Sequence, residues 1–250
     1  MSATPEATDA VIETGDGPMP IHVAVPAATP KGAVVVLQEA FGVTDYVKDV
    51  ARRFALAGWH TLAPSLFHRQ GSPVLPYDDV AAAVPAMQSL TAAGITTDLL
   101  ATFDQLASAG IPSERVGVVG FCLGGTLAFY AATLRPLAAA VTFYGGGVAE
   151  GRFGLPSLLD LAPSLATPWL GLYGDRDETI PTADVERLRH ALEEAPVDAV
   201  VVRYPEAGHG FHCDARPGAF APGPAQDAFG RTLAWLERYG GGAPAQGVSR

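Results

Sequence analysis

A mostly parallel β-sheet covered by helices on both faces, the α/β class, is the fold the sequence predicts, and three observations carry that prediction. Apolar runs of strand length recur along the chain, among them AVVVLQ (33–38), RVGVVG (115–120), AAAVTFYG (138–145) and TPWLGLYG (167–174); continuous apolarity marks strands buried on both faces. Segments with helical spacing separate these runs, and repeated βα units with right-handed crossovers lay their strands parallel. The 250 residues carry no internal repeat and no interdomain linker, which points to one domain near the upper size for a single core.

The elements follow in order. Residues 1–9 are polar and are expected to fray. Residues 10–14 and 20–25 form a hairpin about Asp16-Gly17-Pro18, and 33–38 is the first buried strand. A helix runs from Asp45 to Leu56 and stops at Gly58, where GWHTLAP (58–64) begins the next strand. Helical spacing over 78–90 and 97–109 gives two helices, the second opening at Thr97 or Asp98 and closing at Gly110. After the strand 115–120 a helix spans Gly124 to Leu134, then come strands 138–145, 167–174 and 198–205, with helices over 182–194 and 225–238. Arg216 to Pro224 is a loop inside the domain, which covers residues 10–240; the Gly/Ala-rich segment 241–250 is expected to be disordered.

Composition excludes several function classes. Sixteen basic against 26 acidic residues give a net charge of −10, and no basic stripe is present to replace phosphate counterions, so neither nucleic acid nor an anionic membrane is an expected partner. The longest apolar runs fall far short of the roughly 20 residues of a membrane span. Cys122 and Cys213 make no disulfide framework, and MSATPEATDA lacks a basic n-region and an apolar h-region, so the reducing cytoplasm is the expected location. The expected species is a monomer or small homo-oligomer acting on a small molecule without cofactor or metal.

The chemistry concentrates in three turns. Gly120-Phe121-Cys122-Leu123-Gly124-Gly125 lies between a strand and a helix. Gly-x-nucleophile-x-Gly is a sharp elbow that exposes its central side chain above the sheet, here at a helix N-terminus that favours a thiolate. The N–H of Leu123 is then placed to face a developing oxyanion. A thiol nucleophile needs a base and an orienting acid, and the α/β-hydrolase order is nucleophile, acid, histidine. The turn after WLGLYG offers Asp175 and Asp177; the turn after VVVRYP offers His209 and His212. Asp177 and His209 are the favoured members, Asp175 being placed to bond its own turn and His212-Cys213-Asp214 to open a solvated loop. His22, His60, His68 and His190 fit ordinary packing. Zinc ligation by His209-x-x-His212-Cys213-Asp214 is disfavoured by the cramped spacing and the lack of a second cluster.

With these turns, Gln38-Glu39-Ala40-Phe41-Gly42, Ala63-Pro64-Ser65-Leu66-Phe67 and Phe143-Tyr144-Gly145 make the chain resemble the dienelactone hydrolase family from about residue 10 to 240. The resemblance implies an α/β-hydrolase fold and a triad of Cys122, His209 and Asp177, the aspartate lying four residues before Pro181. It also implies that Glu39 contacts the resting thiol and helps deprotonate it, and that the N–H of Ala40 is the second oxyanion donor. The expected activity is hydrolysis of a small ester or enol-lactone through a thioester, of the carboxymethylenebutenolidase type. Members that cleave dienelactone use arginine four residues after the histidine, where this chain has Cys213; Arg216 and Arg69 are the candidate replacements, and Tyr144 a candidate pocket residue. Two other readings stay open: a ligand-binding member without turnover, and a peroxidatic Cys122 resolved by Cys213.

Overall fold

The computed structural model describes residues 4–241. Eight strands form one sheet in the order β1-β2-β4-β3-β5-β6-β7-β8. The hairpin β1 (Glu6–Thr14) and β2 (Gly17–Val25) is antiparallel and joins the sheet by pairing antiparallel with β4 (His60–Pro64). From β4 onward every neighbouring pair is parallel: β3 (Ala33–Leu37), β5 (Val116–Phe121), β6 (Ala139–Phe143), β7 (Trp169–Gly174) and β8 (Ala199–Tyr204). All residues of β3, β5, β6 and β7 are buried, which is why these strands read as unbroken apolar runs. The edge strand β8 is only partly covered, with Val201 and Tyr204 buried and Val200 exposed.

The helices are α1 (Asp45–Leu56), α2 (Val80–Gln88), α3 (Ala92–Ser108), α4 (Leu123–Leu134), α5 (Leu158–Leu161), α6 (Thr182–Ala191) and α7 (Pro222–Gly240). The rings of Phe54 in α1 and Phe229 in α7 sit 5.1 Å apart, while α4 touches α3 and α5, so the sheet is covered on both faces. Among the described residues no helix is long and apolar enough to cross a membrane.

Three expectations shift. Residues 6–9 are not frayed: they extend the hairpin, with Glu6 opposite Val25 and Asp9 opposite His22. An exposed edge strand is held by its backbone ladder, which polar composition does not reveal. Residues 1–3 and 242–250 lie outside the described residues. The helix expected to open at Thr97 or Asp98 opens at Ala92, where the Thr91 hydroxyl accepts the Gly94 N–H at 3.1 Å. Asp98 is not a cap; it is buried inside α3 and bound to Arg69 and His68. α7 begins three residues earlier than its spacing suggests, because Pro222 suits the first helical turn.

Candidate active site

The carboxyl ends of β5, β7 and β8 lead into the turns that carry Cys122, Asp177 and His209. Cys122 holds φ +54 and ψ −115, a conformation that L residues rarely adopt. The surrounding glycines make the elbow possible. A Cβ on Gly120 would stand 1.8 Å from the Gly124 carbonyl oxygen, and one on Gly124 would stand 2.3 Å from that of Leu37. Backbone hydrogen bonds then fix the turn: Cys122 N–H donates to Phe143 O at 3.0 Å and Gly124 N–H to Gln38 O at 3.0 Å.

Cys122 opens onto a cavity of about 370 Å³ lined by Ala40, Phe41, Leu123, His209, Arg152 and Arg216, among others. Among the described residues the N–H groups of Leu123 and Ala40 have no protein acceptor. His209 Nδ1 lies 2.7 Å from Asp177 Oδ2. The other carboxylate oxygen, Oδ1, accepts the Thr179 N–H at 2.8 Å, its hydroxyl at 2.7 Å and the Ile180 N–H at 3.2 Å. Burial alone would raise Asp177, but His209 and Thr179 together hold it below the usual carboxylate range. Burial pulls the His209 imidazole down; the Cys122 sulfur and the Asp177 carboxylate outweigh it and push it up to about 10. Asp175 is turned away and binds Arg203 at 2.6 Å.

Glu39, next in sequence to the cavity-lining Ala40, is 1% exposed. Burial raises its carboxyl, opposed by Arg216 and His209. Tyr144 Oη donates to its Oε1 at 3.4 Å, and Oε2 has no hydrogen-bond partner. No hydrogen bond joins Glu39 to Cys122; Tyr77 and Cys213 lie close to the carboxylate.

The family model of the dienelactone hydrolase family matches residues 19–240. The chain belongs to the dienelactone hydrolase family. It is 39% identical over 232 residues to the "Putative carboxymethylenebutenolidase" of Salmonella typhimurium, covering 89% of this chain and 84% of the relative. Against the Escherichia coli K12 protein of that name, identity is 37% over 232 residues, 90% of this chain and 79% of the relative. The crystal structure of "Putative Dienelactone Hydrolase" from Klebsiella pneumoniae superposes with a TM-score of 0.88 at 35% identity, covering 95% of this chain and 100% of that one. The chain is thus a hydrolase with the α/β-hydrolase fold expected from its sequence.

In this dienelactone hydrolase family member, the site residues expected from sequence divide into two groups. Cys122, Leu123, Ala40, His209 and Arg216 share the cavity, with Asp177 behind His209. Two candidate substrate contacts lie elsewhere. Arg69 is held by Asp98 at 2.8 and 2.9 Å and by Asp16, outside the cavity lining. Its basic side chain compensates the buried Asp98, a partner that sequence spacing cannot reveal. Tyr144 is fully buried, with φ +40, and its ring meets that of His209 edge-on at 5.1 Å. It supports the imidazole and Glu39 from behind. The loop expected after His209 is not solvated: His212 and Cys213 are 2% and 0% exposed.

Sequence reasoning missed Arg152, Phe153 and Thr179, all on the cavity wall. Arg152 and Phe153 lie in the loop after β6, and a loop at the carboxyl end of a parallel strand is where ligands bind in such sheets. That position was the available signal. Among the described residues neither Arg152 nor Arg216 has a carboxylate within ion-pairing distance. The Arg216 guanidinium lies 5.6 Å from the Phe41 ring centre and 5.8 Å from that of Tyr77.

Proposed function

We propose that the chain hydrolyses a small ester or enol-lactone by nucleophilic attack of Cys122, with His209 and Asp177 completing a triad. The observation that carries this reading is one cavity in which an elbow cysteine meets an imidazole anchored at 2.7 Å to a buried carboxylate.

The Cys122 sulfur adds to the substrate carbonyl carbon, and the N–H groups of Leu123 and Ala40 hold the tetrahedral oxyanion. Two such donors are the largest source of barrier lowering; losing one typically costs about 3 kcal/mol. The C–O bond then breaks, the alcohol or enolate leaves with a proton from the charged imidazole, and a thioester remains. His209, now neutral and oriented by Asp177, takes a proton from water as the water attacks the thioester carbonyl. The carboxylic product departs and Cys122 is regenerated. Because a thiolate is itself a good leaving group, esters with poor leaving alcohols revert, which favours activated esters and enol-lactones. Where the resting thiol holds its proton, Glu39, raised by burial, is suited to accept it once a bound substrate brings the two groups together and to pass it to His209, which becomes the charged imidazole that protonates the leaving group. Arg216 and Arg152, both without ion-pair partners, are the groups suited to a substrate carboxylate, in keeping with the activity named for the relatives.

The test is trapping of the intermediate. Acid quench during steady turnover of p-nitrophenyl acetate should leave one acetyl group, found by mass spectrometry on the peptide containing Cys122. An acetyl group on another residue, or undiminished turnover by Cys122→Ala, would refute the mechanism.

A further inference from the structure

The wall between the catalytic cavity and its neighbour is built at conformational cost. Residues Arg152–Leu155 form a tight turn in which Leu155 N–H donates to Arg152 O at 2.8 Å. Phe153 and Gly154 occupy its two central positions with φ +58 and +75. Positive φ at both places is the type I′ geometry, which strongly prefers Asn, Asp or Gly at the first central position. A bulky aromatic residue there is a real outlier, and such strain persists where the side chain serves a purpose. Gly151 tightens the segment further, since a Cβ there would stand 2.1 Å from the Leu155 carbonyl oxygen.

The Phe153 side chain borders two cavities. On one side is the 370 Å³ cavity that holds Cys122 and His209. On the other is a groove of about 420 Å³ lined by Val84, Met87, Gln88, Leu90, Arg152, Phe153 and Gly154. Met87, Arg152 and Phe153 line both, so the two spaces share a wall. The Arg152 guanidinium reaches back over Gly146, which belongs to the catalytic cavity. The far groove is otherwise walled by Gly154, Leu90 and α2, a helix whose only polar residue is the terminal Gln88, and which leaves Val80 and Val84 54% and 38% exposed. The catalytic cavity alone sits near the small end of ligand pockets, which span roughly 300–1,000 Å³.

We propose that this groove is a second subsite, taking an unbranched apolar arm of the ester past Phe153 and along α2. The assignment rests on Cys122 as the ester-cleaving nucleophile. It makes medium-chain esters better substrates than acetates, whichever side of the scissile bond carries the arm. Each methylene laid in the groove should raise kcat/KM by up to about 4-fold, the equivalent of roughly 0.8 kcal/mol per buried CH₂.

The experiment measures kcat/KM for p-nitrophenyl esters from acetate to octanoate and for phenyl acetates carrying para n-alkyl chains of matching length, on the wild type, Val84→Trp and Phe153→Asn. Expected is a rise of at least tenfold from the shortest to the longest member of one series, and that series names the arm. Val84→Trp fills the groove and should reduce this ratio at least tenfold. Phe153→Asn relieves the positive-φ strain, so its Tm should equal or exceed that of the wild type while the ratio falls, which separates loss of the subsite from loss of the fold. Flat dependence on length in both series, or an unchanged ratio in both variants, overturns the subsite. Failure to turn over any ester, or retention of activity in Cys122→Ala, would instead overturn the underlying mechanism.

Discussion

Two histidines three residues apart in one loop end in opposite chemical states. His209 faces the cavity, with its Nδ1 on Asp177 and Cys122 beside it, and is pushed up to about 10. His212 turns into the core, where Tyr46 Oη lies 2.6 Å from its Nδ1 and the rings of Phe121, Phe143 and Phe229 surround it. Burial, with Arg53 nearby, drives it down to about 3. The cysteines divide in the same way. Cys122 is part-exposed at the first turn of a helix, whereas Cys213 is buried and pushed up to about 12, mainly by burial and by Glu39. The comparison teaches that reactivity here comes from which wall a residue faces, not from its type or its place in the sequence. The redox reading loses support on the same ground: its resolving thiol is buried.

The sharpest way to break the comparison is to exchange roles between the cysteines. Cys122→Ala should lower kcat/KM on p-nitrophenyl acetate by about 10⁴-fold or more, the range seen when a nucleophile is removed. Cys213→Ala should change that rate by less than about tenfold while costing roughly 1–2 kcal/mol of stability, since it empties a small volume in the core. Iodoacetamide under native conditions should label Cys122 alone, and substrate should slow that labelling. Rapid labelling of Cys213 would show that the two environments are not distinct.

The carboxylates give the next contrast. Asp177→Asn should reduce kcat/KM by about 10²–10⁴-fold, because an amide in place of the acceptor favours the wrong imidazole tautomer. Asp175→Asn removes only the part-exposed pair with Arg203, so turnover should change less than about twofold and stability by no more than about 1 kcal/mol. Similar losses in both variants would contradict the division of roles drawn from the geometry. The histidines separate on a different axis: His209→Ala should abolish most turnover, and its cost in stability should be confined to the pH range in which the ring holds its proton, below about 10. His212→Ala should cost about 2–4 kcal/mol of stability through the lost ring and the stranded Tyr46 hydroxyl.

How much of this was legible in the sequence follows from how local the cause is. The elbow was legible because a strained turn between strand and helix needs glycine at fixed offsets, and the contacts of Gly120 and Gly124 fall within six residues or on the adjacent strand. Buried parallel strands were legible from their unbroken apolar runs. The burial of His212 was not, because Tyr46 lies 166 residues earlier and Phe229 comes from the last helix. The commitment of Arg69 to Asp98 was hidden for the same reason. Phe153 was missed because it breaks the turn rule that would have marked its position, and Arg152 went with it. Long-range partners and broken local rules therefore account for the misplaced substrate contacts, while the residues of the proposed triad sat where local signals are strong.

The pH dependence of stability tests the two histidines against each other with a sign. The folded value of His209, about 10, lies above its ordinary 6.5. The stabilisation linked to its proton is therefore complete below pH 6.5 and is lost as pH rises through 10. The folded value of His212, about 3, lies below 6.5. Unfolding lets that ring take up a proton, so its neutral burial contributes fully above pH 6.5 and is progressively lost as pH falls toward 3. Urea unfolding of the wild type between pH 4 and pH 10 should thus show stability declining on both limbs, by no more than about 1.4 kcal/mol per pH unit from each histidine. His209→Gln should flatten the alkaline limb and leave the acid limb in place; His212→Gln, though less stable throughout, should flatten the acid limb alone. In Cys122→Ala the alkaline limb should shrink as well, because the sulfur is one of the groups holding the His209 proton. Parallel stability curves for the wild type and both histidine variants would mean that the two rings do not differ in the way their surroundings require.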